Sequence, residues 1–121
     1  MERDINLCKF RGNLTRKPEL KGTDKKYALL SVACNRGYQN QDGKFEADFI
    51  TFKLWKDPEK IVETLNTGDK VEIESHYKTR SYVEDGKTIY TSDFVIDKLD
   101  YTKKKKKNQI KKKLKNWKNN L

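Results

Sequence analysis

Histidine is nearly absent from the 121-residue chain, cysteine occurs twice, and no apolar run approaches the roughly 20 residues of a membrane span. Each scarcity excludes something. The one histidine, His76, sits in an alternating segment, where a half-buried structural role is the better reading than a relay or a metal ligand. Cys8 and Cys34 each fall in a strand-like stretch, where a small thiol packs as a hydrophobe, so neither a disulfide framework nor a metal site is expected. The opening Met1-Glu2-Arg3-Asp4-Ile5 has no apolar stretch of the signal-peptide kind, which sets the expectation of a cytoplasmic protein. No phosphate-cradling glycine loop, nucleophile–base pairing or internal repeat is found. Asp42, Glu46 and Asp48 flank a turn, and are expected to solvate it or stagger against lysines rather than bind a metal. The chain therefore looks like a binding module without cofactor, not an enzyme.

Acid is missing from one region only. Residues 103–121 contain ten lysines and no Asp or Glu, whereas residues 1–102 hold 18 Lys and Arg against 18 Asp and Glu. A neutral body thus carries a tail of +10. The length suits one domain, 1–102, with an appendage, 103–121. In that appendage Ile110, Leu114, Trp117 and Leu121 are spaced four, three and four apart. On a helix they would project within an arc of roughly 60°, surrounded by lysine and asparagine. Such a stripe suits a membrane surface or a partner groove, and a solvated polycation is the other reading of the same residues.

In the body, apolar residues come in short bursts at alternate positions, separated by turn residues, which predicts strands at 6–14, 27–35, 48–55, 70–82 and 88–101. Asp42-Gly43 and Asp85-Gly86 fall between bursts and predict two hairpins. One helix is predicted after the third strand: Asp57 caps it, Pro58 opens it, Ile61, Val62 and Leu65 give it an apolar face, and Gly68 follows its end. The fold class is therefore all-β. Five strands with one short helix between the third and fourth is the element order of an OB-fold Greek-key barrel, although other small barrels share the pattern.

The third strand carries the chemistry. Its period of two puts Ile50, Phe52 and Leu54 on one face and Phe49, Thr51, Lys53 and Trp55 on the other. The first set is core. Two large rings and a lysine make poor core but a good surface for stacking bases and attracting phosphate; pairing in a subunit interface is the alternative. Lys78-Thr79-Arg80-Ser81-Tyr82 and Asn35-Arg36-Gly37-Tyr38 add rings and cations at the mouths of the two hairpins, on elements that an OB barrel brings to one side.

Several of these stretches, in order, resemble the bacterial single-stranded DNA-binding protein family: Gly12-Asn13-Leu14-Thr15-Arg16-Lys17-Pro18-Glu19-Leu20, Ala33-Cys34-Asn35-Arg36, Glu46-Ala47-Asp48-Phe49-Ile50, Thr79-Arg80-Ser81-Tyr82 and Tyr90-Thr91-Ser92-Asp93. The resemblance runs over about residues 4–101. It implies that Tyr38, Phe49, Trp55 and Tyr82 stack bases, and it implies a homotetramer of OB folds around which the strand wraps, with no catalysis. Beside those rings, Arg36, Lys53, Lys56, Lys78 and Arg80 are the cations expected to neutralise phosphate. The expected role is sequence-independent protection of single-stranded DNA in replication, recombination or repair, in the cytoplasm and on the nucleoid. Two departures stand out. Lys9 and Arg11 occupy positions usually apolar in a strand that helps pair subunits, which leaves a dimer as the alternative to a tetramer, or makes these cations part of the phosphate track. At the other end, Lys118-Asn119-Asn120-Leu121 replaces the acidic tip by which the family recruits replication and repair enzymes, so recruitment by that route is not expected. An OB-fold interaction module whose tail docks a membrane surface or a protein partner is the alternative function.

Overall fold

The computed structural model describes residues 2–103. The element order is β1 (Cys8–Leu14), β2 (Glu19–Lys21), β3 (Tyr27–Gln39), β4 (Phe45–Leu54), α1 (Pro58–Thr64), β5 (Lys70–Glu84) and β6 (Lys87–Thr102). β1 pairs with β5 through Cys8 to Asn13, then with β3 at Asn13 and Leu14. β3 pairs antiparallel with β4, β4 runs parallel to β6, and β6 pairs antiparallel with β5. These pairings close a ring of five strands, with β2 attached outside it to β3. The closed ring with α1 between its third and fourth members is the OB-fold barrel expected from the element order.

Leu14, Leu30, Val32, Phe52, Leu54, Val71, Ile73 and Ile96 fill the interior from all five barrel strands, and Leu65 closes one end just after α1. Every one of them lies on the inward phase of its strand or at the helix end, so alternation placed the core. β1 can serve two neighbours only because its backbone comes very close to β3. A Cβ added at Gly12 would lie 2.3 Å from the Ala33 carbonyl oxygen and 2.8 Å from Val32 Cγ1.

The structure departs from the sequence expectation at four places. β2 was not anticipated, since three residues are too few to show a period. β3 and β4 run further than 27–35 and 48–55, because Asn40 organises the hairpin tip: its Oδ1 accepts the amides of Asp42 and Lys44 at 2.9 and 3.0 Å. At the other end Asn6 precedes β1, and its side chain bonds both backbone groups of Tyr77, imitating a ladder rung. Finally, Asp57 does not cap α1 with its carboxylate; the residue takes a left-handed conformation, φ 47°, and only its backbone carbonyl accepts from Ile61.

Lys103 donates to the Thr64 carbonyl, so the chain leaves the barrel beside the end of α1. The stripe of Ile110, Leu114, Trp117 and Leu121 lies outside the described residues.

Because the nearest atom facing Gly12 is the backbone carbonyl of Ala33, which cannot swing aside, Gly12→Ala is expected to lower stability by roughly 1–3 kcal/mol, read as a drop in the urea midpoint at unchanged slope.

Candidate nucleic-acid interface

β4 supplies both the core and the surface. Phe52 is 0% exposed, whereas Phe49 is 75% and Trp55 45% exposed. Phe49 and Trp55 are six residues apart, roughly 20 Å along an extended strand, a span that accommodates several unstacked bases. Between them Thr51 and Lys53 face the same way.

Register brings in a residue that alternation within β4 cannot reveal. Ala28 pairs with Leu54, which puts Tyr27 beside Trp55, with ring centroids 4.8 Å apart and planes tilted by 47°. The Lys53 ammonium sits 5.0 Å over the same Tyr27 ring. Tyr27 thus joins the exposed rings to the cation. Its phase is legible in the sequence, since it alternates with Ala28 and Leu30, but its neighbour across the sheet is set by register.

From Lys53 the surface continues across the sheet. Its Nζ lies 3.2 Å from Asp93 Oδ2 on β6, and Arg80 Nη2 on β5 lies 3.6 Å from the same oxygen. Arg80 Nε also donates to Thr91 Oγ1 at 3.0 Å. Lys78 pairs with Asp93, Arg80 with Thr91 and Tyr82 with Ile89, so Lys78, Arg80 and Tyr82 share one face of the β5–β6 ribbon. Lys78 and Lys56 are exposed and take part in no ion pair among the described residues.

Arg36 is placed differently. Its Nη2 is 2.8 Å from Asp48 Oδ1 and its Nη1 2.6 Å from Glu46 Oε2, while Asn40 donates to the other oxygen of Glu46. Asp48 and Glu46 alternate with Phe49, on the core-facing phase of β4 continued past the barrel end. They therefore hold Arg36 on the side away from Phe49, with its charge compensated. The acids expected to stagger against lysines grip this arginine instead. Tyr38 stands further out on the same hairpin, exposed, within the register shift between Asn35 and Gln39. The structure thus joins Trp55, Lys53 and Arg80 through Tyr27 and Asp93, and leaves Arg36 in a separate cluster.

Lys9 and Arg11 also point outward from β1, but each faces a glutamate across the ladder, Glu74 at 3.4 Å and Glu72 at 3.6 Å. His76 contacts Asp97 at 3.0 Å. Near the Arg36 cluster, burial and the Asp48 charge push the Cys34 thiol up from its ordinary value, so it stays protonated and unreactive at neutral pH.

Hydrogen bonding from Arg36 holds the Asp48 carboxyl below its usual range, and Arg36 in turn keeps its proton more firmly. A carboxylate lowered in the folded state supports the hairpin above its unfolded pKa and loses that support as pH falls through the depressed value. In Arg36→Gln the Asp48 midpoint, followed by carboxyl-carbon NMR, is expected to move up toward the ordinary carboxylate value.

Residues 5–102 match the single-strand binding protein family. A single-stranded DNA-binding protein of Oceanobacillus iheyensis is 35% identical over 105 residues, covering 84% of this chain and 65% of the relative. Another, single-stranded DNA-binding protein 1 of Streptococcus pyogenes, is 40% identical over 85 residues, covering 68% of this chain and 65% of the relative. The chain thus spans just under two thirds of the length of these two curated relatives. Among solved structures, the Plasmodium falciparum SSB complex with ssDNA superposes with a TM-score of 0.62 at 19% identity, covering 84% of this chain and 96% of that one, a likeness of fold.

Proposed function

We propose that this chain, which belongs to the single-strand binding protein family, binds single-stranded DNA with little sequence preference and protects it during replication, recombination or repair. The observation that carries this reading is the outer face of β4 and the residue that follows it, where Phe49 and Trp55 stand exposed on either side of Lys53. Rings of this kind stack any base, contributing about 1–3 kcal/mol for each. Tyr38 and Tyr82 extend the stacking surface onto the two hairpins, and Tyr27 backs Trp55. Lys56 and Lys78 are uncompensated and meet phosphate first, whereas Lys53, Arg80 and Arg36 reach it only by leaving a carboxylate. None of these roles calls for a cofactor or a catalytic group.

The protein acts as a homo-oligomer, a tetramer or a dimer, in the cytoplasm and on the nucleoid. The body, 1–102, is the specific binder and the tail, 103–121, extends its electrostatic reach. Support for the tail's part comes from ten lysines without an acid, attached to a body of no net charge.

Titration of oligo-dT tests both halves. Phe49→Ala combined with Trp55→Ala is expected to weaken binding by about 2–6 kcal/mol if both rings stack, and unchanged affinity in a folded double variant sinks the assignment. Each phosphate neutralised contributes about −0.7 to the slope of log K against log salt on a single strand. Deleting 103–121 is expected to flatten that slope by several units; a slope that stays the same assigns the tail to a membrane or protein partner instead.

A further inference from the structure

One carboxylate lies inside the surface that the proposed function assigns to phosphate. Asp93 Oδ2 takes Lys53 Nζ at 3.2 Å and Arg80 Nη2 at 3.6 Å, and so bridges β4 and β5 from its place on β6. The pair is largely enclosed, with 16% of the Lys53 side chain and 24% of the Asp93 side chain exposed. On its other side Lys53 lies over Tyr27, which abuts Trp55. An anionic oxygen held between an ammonium and a guanidinium, next to stacked rings, is what a backbone phosphate would occupy beside a stacked base.

We infer that Asp93 is a built-in stand-in for a DNA phosphate, an internal anion that occupies the position between Lys53 and Arg80 until a strand displaces it. This deepens the single-strand binding reading and rests on it. Two effects follow from the exchange. The cations are already oriented when DNA arrives, since Asp93 fixes both head groups, that of Lys53 largely enclosed and that of Arg80 still open to solvent. Their contacts with phosphate replace a carboxylate rather than released counterions, so Lys53 and Arg80 add less to affinity and to salt dependence than their number suggests. Arg36 does not share this role, because the two carboxylates that hold it alternate with Phe49 and lie off the stacking face.

The test titrates the full chain with oligo-dT over a range of salt concentrations, with thermal melting to establish folding. Asp93→Asn keeps the shape and removes the charge. It is expected to bind about two- to tenfold more tightly at low salt, the size of one or two exposed cation–phosphate contacts. Its salt slope is expected to steepen by roughly 0.7 to 1.4, for one or two newly neutralised phosphates. Affinity that is unchanged or weaker in the folded variant overturns the inference and leaves Asp93 as a group that merely orients its neighbours. Lys53→Gln, made both in the native chain and in Asp93→Asn, gives a second reading. In the otherwise native chain it is expected to flatten the slope by well under ~0.7, and in the Asp93→Asn background by close to that amount. Equal losses in the two backgrounds overturn the inference. If the unmodified chain does not bind oligo-dT at all, the function it rests on fails, and that result is distinct from binding without a gain in Asp93→Asn.

Discussion

Between β4 and β6 only two residue pairs, Phe52 opposite Phe94 and Lys53 opposite Val95, run in parallel register, and it is there that the barrel closes. So short a ladder brings few hydrogen bonds, and side chains on both sides of it supply the rest. Inside, Phe10, Phe52 and Phe94 meet edge to face or tilted, with centroids 5.0, 5.3 and 5.9 Å apart, and the exposed Tyr77 adds a fourth ring at 5.1 Å from Phe94. Such pairs contribute about 0.5–1.5 kcal/mol each beyond the area they bury. Outside, Lys53 and Asp93 span the same seam. The exposed rings of β4 and the cations of β5 keep their mutual spacing because this seam holds, and Gly12 lets β1 complete the ring on the opposite side.

Sequence alternation was a good guide to which way a residue faces and a poor guide to what it faces. On β4 the period of two separated Phe52 and Leu54 from Phe49 and Trp55, and the Asp-Gly pairs located both hairpins. What it could not carry was register, which is set between strands. Tyr27 became part of the ring surface through the pairing of Ala28 with Leu54, and Asp93 met Lys53, forty positions away, beside a parallel ladder. Arg36 stands beside Tyr38 in the chain, and only the pairing of β3 with β4 brings to it two acids ten and twelve residues on. Asp57 does not serve as a side-chain cap, because its backbone is left-handed there and its carboxylate makes no cap hydrogen bond.

The neutrality of the body has a spatial form. Lys9, Arg11, Arg16, Lys21 and Lys26 each face a glutamate, in exposed pairs that contribute little to stability, about 0.2–1 kcal/mol at most. Their effect is to cancel attraction for anions over much of the surface. Lys56, next to Trp55 in the chain, and Lys78, on the face of Tyr82, are among the lysines in no such pair among the described residues, so a body without net charge still presents points of positive potential near its exposed rings.

The two hairpins reach beyond the barrel as two-stranded ribbons, Asn35 to Asp48 on one side and Tyr77 to Asp93 on the other, and neither brings a core of its own. Toward their tips the amides are secured only by bonds within each ribbon, so the tips lie at the low end of the molecule's range of opening free energies. The tips can fray while the phenylalanine cluster stays shut. Any ligand that gathers both ribbons around itself must therefore remove their conformational freedom, and that entropy is subtracted from what the rings and cations contribute. Affinity in this fold is limited as much by the looseness of its fingers as by the strength of its grip.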